Sequence, residues 1–448
     1  MTGGASRITC AGCGWTAPDA AVAPYPFHCP NADGDDVDHV LARVLDPARV
    51  AFVRGDDPNP FLRHRELLHS YQVARAHGGS DEVFSDLVRR LDRAIAAVDG
   101  HGFLVTPFGR QTGLSERLGF TAAGGVWVKD ETGNVSGSHK ARHLMGIMLY
   151  LQVIERLGLV SGQPPLAIAS CGNAALAAAV VARAAGRVLR VYVPPHADAS
   201  VLGRLRALNA EITTCPRAPG VAGDPCYHRF RAALAQGALP FCCQGTDNGL
   251  TIEGGETLGY EMVHTQGDAV LDHIVIQVGG GALASACIQA FTLATRLGLL
   301  QHLPRVHTVQ TEGAFPLKRA HDRVAARMRG RKESPEQALR YAAAHRSEFM
   351  WPWEHEPRSI AHGILDDETY DWLTVVRGML ETGGSAVVVS EDTLREANAM
   401  ARWATGIAVD HTGSAGLAGL LQLRREGTVA PSERAAVIFS GVDRRQTA

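Results

Sequence analysis

From about residue 125 onward, short apolar strands alternate with segments whose apolar residues fall at helical spacing. "VWVKD", "LAIA", "VLRVYVP", "EITTC", "PFCCQ", "HIVIQ", "RVHTVQT", "GSAVVVS" and "AAVIF" supply the strands, and a helical stretch follows nearly every one. Strands joined through helices run parallel, because a chain that crosses the sheet in a helix returns to the edge it left. The order therefore implies an α/β fold, with helices on both faces and ligand sites at the carboxyl ends of strands.

Bulk properties exclude several classes. The 448 residues are 46% hydrophobic and 20% charged, with a formal net charge of -2. No basic field invites nucleic acid or an anionic membrane. The longest apolar candidate for a span, "AALAAAVVARAAG", is short and broken by Arg183. No signal-peptide pattern opens the chain, so a cytoplasmic location is expected. Nine scattered cysteines fit reduced thiols better than a disulfide framework. Residues 1–104 differ from the rest: a "CAGCGW" knuckle, a Pro- and Asp-rich stretch and two amphipathic patterns near 61–77 and 81–98 predict a mostly helical extension. The Arg-, Ala- and Glu-rich region 321–350 reads as a helical excursion or a mobile surface segment.

Chemistry is sought in the strand-to-helix loops. In "VGGGALAS", Gly279, Gly280 and Gly281 let backbone approach a phosphate at a helix N-terminus, although a tight packing turn has the same composition. "ASCGNAALAA" places Ser170, Cys171, Gly172 and Asn173 at a second terminus, suited to a carboxylate or to plain capping. Ser440 ends the last strand, where its hydroxyl can meet a ring nitrogen or cap a loop.

Lys140 in "SGSHKAR" is the sharpest signal. With Ser138 as N-cap, it falls near the second helical position, where the helix dipole disfavours a cation by a few tenths to about 1 kcal/mol. A desolvated amine is what Schiff-base chemistry requires, and the alternative is a lysine whose stem reaches solvent. Only four lysines exist in the chain: Lys129, Lys140, Lys318 and Lys332. Lys129 precedes two acids, Asp130 and Glu131, expected to pair with it, and the last two stand in Arg-rich helical contexts.

Taken together and in this order, the motifs resemble the pyridoxal-phosphate enzymes of fold type II, the tryptophan synthase β-subunit superfamily of threonine synthases, serine/threonine dehydratases and cysteine synthases. The resemblance runs from about Thr106 to the C-terminus through "TPFGRQTGLSERLG", "VKDETGNVSGSHKAR", "YVPPHADASVLGRLRALNAEI", "IEGGETLGYEM", "VQTEGAFPL" and "DHTGSAGLAGL". It implies two doubly wound parallel-sheet subdomains with the cofactor between them, in a catalytic domain over 105–448 whose smaller subdomain occupies roughly 140–245. It also implies that Lys140 forms the Schiff base and shuttles protons, and that Gly279, Gly280, Gly281 and Ala282 hold the cofactor phosphate. Asn173 would meet the ring's phenolic oxygen, Ser440 the pyridine nitrogen, and Ser170, Cys171 and Gly172 the substrate carboxylate. Relatives usually carry Thr or Ser at Cys171, Thr or His at Ala174, and often a fourth glycine at Ala282. Threonine synthases often have Phe where His139 stands.

A hydroxyl at the pyridine nitrogen makes the ring a weaker electron sink than a carboxylate would. The expected reaction is thus α-deprotonation with prompt loss of a β- or γ-group through an aminoacrylate-type intermediate, on a small amino-acid substrate. α,β-Elimination and β-replacement both fit, as does a threonine synthase acting on O-phosphohomoserine. A cofactor-binding protein without turnover is the reading from another class. A homodimer is expected. In the head, Cys10, Cys13 and Cys29 suggest structural zinc or reduced structural thiols. His28 is too close to Cys29 to share a site easily, and His39 is a possible fourth ligand.

Overall fold

The computed structural model describes residues 4–32, 34–53, 55–217, 224–266 and 270–444. Its strands are β1 (Ser6–Cys10), β2 (Leu41–Leu45), β3 (Phe108–Arg110), β4 (Gly125–Asp130), β5 (Leu166–Ala169), β6 (Leu189–Val193), β7 (Glu211–Thr214), β8 (Leu239–Pro240), β9 (His273–Gln277), β10 (Arg305–Thr311), β11 (Ala386–Val389) and β12 (Arg434–Phe439). The larger sheet has the order β11-β10-β9-β12-β4-β3. All its neighbours are parallel except β3, which lies antiparallel on β4. The smaller sheet, β7-β6-β5-β8, is parallel throughout. The chain leaves the larger sheet after β4, builds the smaller one and returns with β9, so the fold is α/β with two parallel-sheet layers.

Burial on both faces explains why the strands read as continuous apolar runs. Every residue of β9, "HIVIQ", is buried. The cores divide accordingly. One joins the head (Ile8, Phe27, Leu41, Phe61, Phe84) to the smaller sheet and its helices (Leu144, Ile147, Ile168, Val180). Two others fill the faces of the larger sheet, around Ile274, Phe291 and Trp372 and around Val128, Leu417 and Val437.

Several local expectations shift. The extension carries its helices at His69–Ala76 and Asp81–Asp99, but also an antiparallel ribbon of β1 and β2. "PFCCQ" contributes only Leu239–Pro240 to the sheet. β3, "FGR", is too short to show any periodicity. Region 321–350 falls in two ordered helices, Pro316–Arg331 and Pro335–Ala344, with the Arg319 guanidinium 3.6 Å from the Trp351 ring centre.

The Lys140 helix spans Lys140–Arg156 with His139 at the cap position, so Lys140 is its first residue. Ser138 is no cap: it is extended (φ −163°, ψ 161°), and its buried Oγ has no hydrogen-bond partner among the described residues. The backbone there is held instead by a bridge between Ser138 and Gly441, just past β12.

Lys129 finds a different partner from the one expected. Alternate strand residues face opposite sides, so Asp130 turns away to bond Thr132. Lys129 pairs with Glu261 on the helix Thr251–Gln266 and donates to the Thr106 carbonyl at 2.7 Å. Arg142, two residues past Lys140, completes this fully buried group, donating to Glu131 at 2.8 and 2.9 Å and to Glu261 at 2.6 and 3.1 Å. Burial pushes the Glu261 carboxyl up, but the Arg142 and Lys129 charges outweigh it and bring it down to about 2. The group ties the first turn of the Lys140 helix to β4 and to the helix behind it.

Candidate active site

The loops at the carboxyl ends of β5, β9 and β12 and the first turn of the Lys140 helix converge. The Ser138–Gly441 bridge sets the start of that helix beside the tip of β12, and the His139 N–H donates to the Ser440 carbonyl at 3.1 Å. Lys140 is half-buried, and its Nζ has neither hydrogen bond nor ion pair among the described residues. Its charge acts on His139, His143, Cys243, Asp366 and Asp371.

Both histidines are neutral. Burial first, then the Lys140 charge, pushes His143 down to about 3 and His139 well below its usual value. His139 Nδ1 faces the Ser440 carbonyl at 3.1 Å and His143 Nδ1 faces the Thr251 carbonyl at 2.7 Å. Facing a carbonyl, each Nδ1 must carry the proton. Each Nε2 is then a buried lone pair with no partner among the described residues.

The glycine loop follows β9. Gly281, at φ +96°, is the residue preceding the helix Ala282–Arg296, whose first turn has no side-chain cap. That left-handed conformation favours glycine. Ala282 is buried as the first helical residue. The segment 364–371 packs directly on this loop: a Cβ at Gly280 would lie 2.7 Å from the Tyr370 ring, and one at Gly281 2.9 Å from Thr369. The Thr369 hydroxyl donates to the Gly279 carbonyl at 2.9 Å. The Asp366 carboxylate accepts the Gly280 N–H and fills the space a Cβ on Gly279 would need. A carboxylate of the chain itself thus accepts from an N–H of this loop, the kind of donor an anion at a helix start uses. Burial pushes the Asp366 carboxyl up, and burial followed by the Asp38 charge brings Asp371 up to about 7.

At the tip of β12 the buried Ser440 Oγ accepts from Gln277 Nε2 at 2.7 Å. The same amide nitrogen donates to the Gly413 and Ile438 carbonyls at 2.9 and 3.0 Å. Because the serine oxygen accepts from Gln277, its own proton is free to point into the site.

At β5, Asn173 starts the helix Asn173–Ala184, with Gly172 before it and no side-chain cap. The Gly172 N–H reaches Ser170 Oγ at 3.4 Å, and burial pushes the half-buried Cys171 thiol up. The Asn173 amide oxygen accepts from Arg444, which also bonds the Ser136 carbonyl. Its Nδ2 faces Gly441, where a Cβ would lie 2.8 Å away. Ser136 has φ +56°, an uncommon conformation for a non-glycine residue, three residues after Gly133 and four before Lys140.

The structure therefore gathers Lys140, Asn173, Gly279, Gly280, Gly281, Ala282 and Ser440, with Ser170, Cys171 and Gly172 beside Asn173. Gln277, His143, Asp366, Asp371 and Arg444 were not anticipated. Gln277 had one visible sign: a polar residue closing an apolar strand that enters a glycine loop. Arg444 had none, since it is one of forty arginines and lies far from Asn173 in the chain.

Comparison with known proteins bears on the family and the fold. The family model described as pyridoxal-phosphate dependent enzyme matches residues 101–441. A threonine synthase of Methanosarcina acetivorans is 24% identical over 343 residues, 75% of this chain and 74% of its own length. One from Mycobacterium bovis is 25% identical over 336 residues, 75% of this chain and 80% of its own. Among solved structures, maize serine racemase superposes with a TM-score of 0.59 at 19% identity, covering 81% of this chain and 94% of that one. The processed threonine deaminase isoform 2 from Solanum lycopersicum gives 0.57 at 16%, covering 82% and 91%. These two show the likeness of fold.

Proposed function

The chain belongs to the pyridoxal-phosphate dependent enzymes, and from that premise we propose that it is an amino-acid lyase or synthase, carrying out α,β-elimination or β-replacement on a serine- or threonine-like substrate. The observation that carries the reading is the Lys140 amine, unpartnered among the described residues, whose charge acts on the Asp366 carboxylate at the glycine cradle, together with a Ser440 hydroxyl that accepts from Gln277 and so keeps its own proton free to donate. When bound, pyridoxal phosphate supplies an aldehyde carbon for amine condensation and a ring that accepts electron density. The residues fit it: Gly279, Gly280, Gly281 and Ala282 for the phosphate, Asn173 for the phenolic oxygen, Ser440 for the ring nitrogen and Lys140 for the aldehyde.

The chain's own groups then have distinct tasks. Lys140 Nζ takes the proton from the substrate Cα and later returns it. The two histidines, neutral beside that amine, add no second positive charge to it. Gln277 orients Ser440 as a donor, so the ring nitrogen is offered a hydroxyl proton and not a carboxylate. Arg444 occupies the Asn173 amide oxygen, leaving Nδ2 to donate. The uncapped N–H groups following Gly172, with Ser170 and Cys171, receive the substrate carboxylate. A weak electron sink favours prompt departure of a β-substituent over accumulation of charge at Cα.

A second reading, a threonine synthase acting on O-phosphohomoserine, is supported by the names of the relatives. It requires a cation for the substrate phosphate, and Arg444, with the Arg204 charge acting on it, is the group at the site's edge to supply one. Incubation with serine, threonine, O-acetylserine and O-phosphohomoserine, followed for keto acid, ammonia, phosphate and new amino acid, separates the two. Turnover of serine or threonine to keto acid supports the first, and phosphate release with threonine formation the second. Consumption of none of the four would overturn both. The assembly proposed with either is a cytoplasmic homodimer, with a catalytic domain over 105–448 and its smaller subdomain over roughly 140–245.

A further inference from the structure

The head holds a cluster that the reaction does not use. Cys10 ends β1, Cys13 follows in the "CAGCG" turn, Cys29 lies further along the loop and His39 stands just before β2. One ligand atom from each lies within 4.8 Å of every other. We propose that these four residues form a structural zinc site of the Cys3His type, with His39 as the fourth ligand.

Five observations carry this beyond a sequence spacing. Zn–S bonds of about 2.3 Å and Zn–N bonds of about 2.0–2.1 Å, arranged tetrahedrally, put ligand atoms about 3.5–3.8 Å apart. Cys10 Sγ to His39 Nδ1 is 3.5 Å and Cys13 Sγ to Cys29 Sγ is 3.6 Å. His39 presents Nδ1 to the cluster while Nε2 lies 3.0 and 3.2 Å from the Asp35 carboxylate, the outer partner that metal-bound imidazoles commonly have. The sulfurs also receive N–H donors, from Asn31 Nδ2 to Cys13 and from the Cys13 backbone to Cys10, each at 3.5 Å. Such donors suit thiolates. Cys10 and Cys29 are each 1% exposed, and all four ligand positions are filled by protein, so the site is closed in the manner of structural zinc. The knuckle is shaped for it. Gly14 has φ +74°, and a Cβ on Gly12 would strike Val37 and the Asp38 carbonyl.

The metal would fasten the loop that joins the head to the rest of the molecule. The Phe27 carbonyl accepts the Gly249 N–H at 2.9 Å, two residues before Cys29. Asp38, next to His39, accepts from Trp372 Nε1 at 3.1 Å and Arg346 Nε at 3.2 Å. Arg43 on β2 pairs with Glu256 on the helix Thr251–Gln266. Four ligands contributed from residues 10 to 39 would brace a segment whose apolar side chains, Ile8, Phe27 and Leu41, already join the core of the smaller sheet.

The test uses the full-length protein, reduced and purified without chelator. Elemental analysis is expected to find about one zinc per chain, released stoichiometrically when the thiols are titrated with a mercurial. Replacement by Co²⁺ should give the visible absorption of a tetrahedral thiolate site. His39→Ala should lower zinc retention against a competing chelator at least tenfold, and His39→Cys should restore it. The wild-type cobalt spectrum stands as a readout independent of how the variants fold, and neither measurement depends on pyridoxal phosphate or on turnover. Zinc below about a tenth of an equivalent with no tetrahedral cobalt spectrum in reduced protein overturns the site, as does an intact mass showing Cys13 and Cys29 joined as a disulfide.

Discussion

At the scale of single residues, the site works by settling which atom carries each proton. Ser440 and Asn173 are ambiguous donors and acceptors until Gln277 and Arg444 take one side of each. Gln277→Glu should reverse the Ser440 hydrogen bond, since a carboxylate accepts where the amide donated. The hydroxyl proton would leave the ring nitrogen, and kcat should fall about tenfold to a hundredfold with little change in KM. Steady-state kinetics with the substrate found in the panel checks this, and an unchanged kcat would remove Gln277 from the assignment. Lys140→Ala should lower kcat by about a thousandfold or more and abolish the near-visible absorption band of the loaded protein. His143 is pushed down to about 3 and His139 also lies far below neutrality, so neither should contribute an inflection to the kcat–pH profile between pH 5 and 8.

At the scale of elements, the recurring device is a strand tip feeding an uncapped helix. The helices starting at Asn173 and Ala282 have no side chain on their first N–H groups, which leaves those donors for a ligand. The segment 364–371 closes one cradle with the Asp366 carboxylate, and Asp371 lies beside it. Two carboxylates near the proposed phosphate site would oppose the phosphate when ionised. Asp366→Asn should therefore tighten cofactor binding roughly threefold to tenfold, read by absorbance titration. Wild-type affinity should weaken as pH rises through the Asp371 value of about 7.

The Lys140 helix depends on another element-scale device, the buried group of Arg142, Glu131, Glu261 and Lys129. Glu261→Gln removes a charge from a buried set and should cost about 3–5 kcal/mol in urea unfolding. The sign with pH follows from its depressed carboxyl. Glu261 lies at about 2 in the fold against an ordinary 4.5, so its contribution is fully present above 4.5 and is lost as pH falls toward 2. The Gln variant should show a shallower loss of stability over that window.

At the scale of the whole molecule, two parallel sheets share one route of the chain, and the site lies where the loops of both meet the Lys140 helix. The head is packed into the core of the smaller sheet and not appended to it, since Phe27, Leu41 and Phe84 lie in one cluster with Leu144 and Val180. Deleting residues 1–104 should leave an insoluble or unfolded product, whereas an appended module would separate cleanly. Trp403, 73% exposed on the helix Glu391–Thr405, is the largest exposed apolar side chain among the described residues. Size-exclusion chromatography with light scattering checks the proposed homodimer, and a single monomeric mass at micromolar concentration would refute it.

The alternation of apolar strands and helices determined the α/β class before any coordinate, because parallel strands buried on both faces leave an unbroken apolar signature. Lys140 and the glycine loop were legible for a similar reason. Each violates a local preference, a cation at a helix start and three glycines in a row, that only chemistry or close packing explains. What the sequence could not reveal were partnerships set by approach through space. Lys129 prefers Glu261 to its own neighbours, Gln277 reaches Ser440 from the adjacent strand β9, Arg444 holds Asn173, and His39 closes on Cys10. Residues far apart in the chain become neighbours only when sheet order and helix docking bring them within about 3 Å, the reach of a hydrogen bond. That reach leaves no trace in linear spacing, so tertiary structure alone decided which polar groups serve the site and which serve the fold.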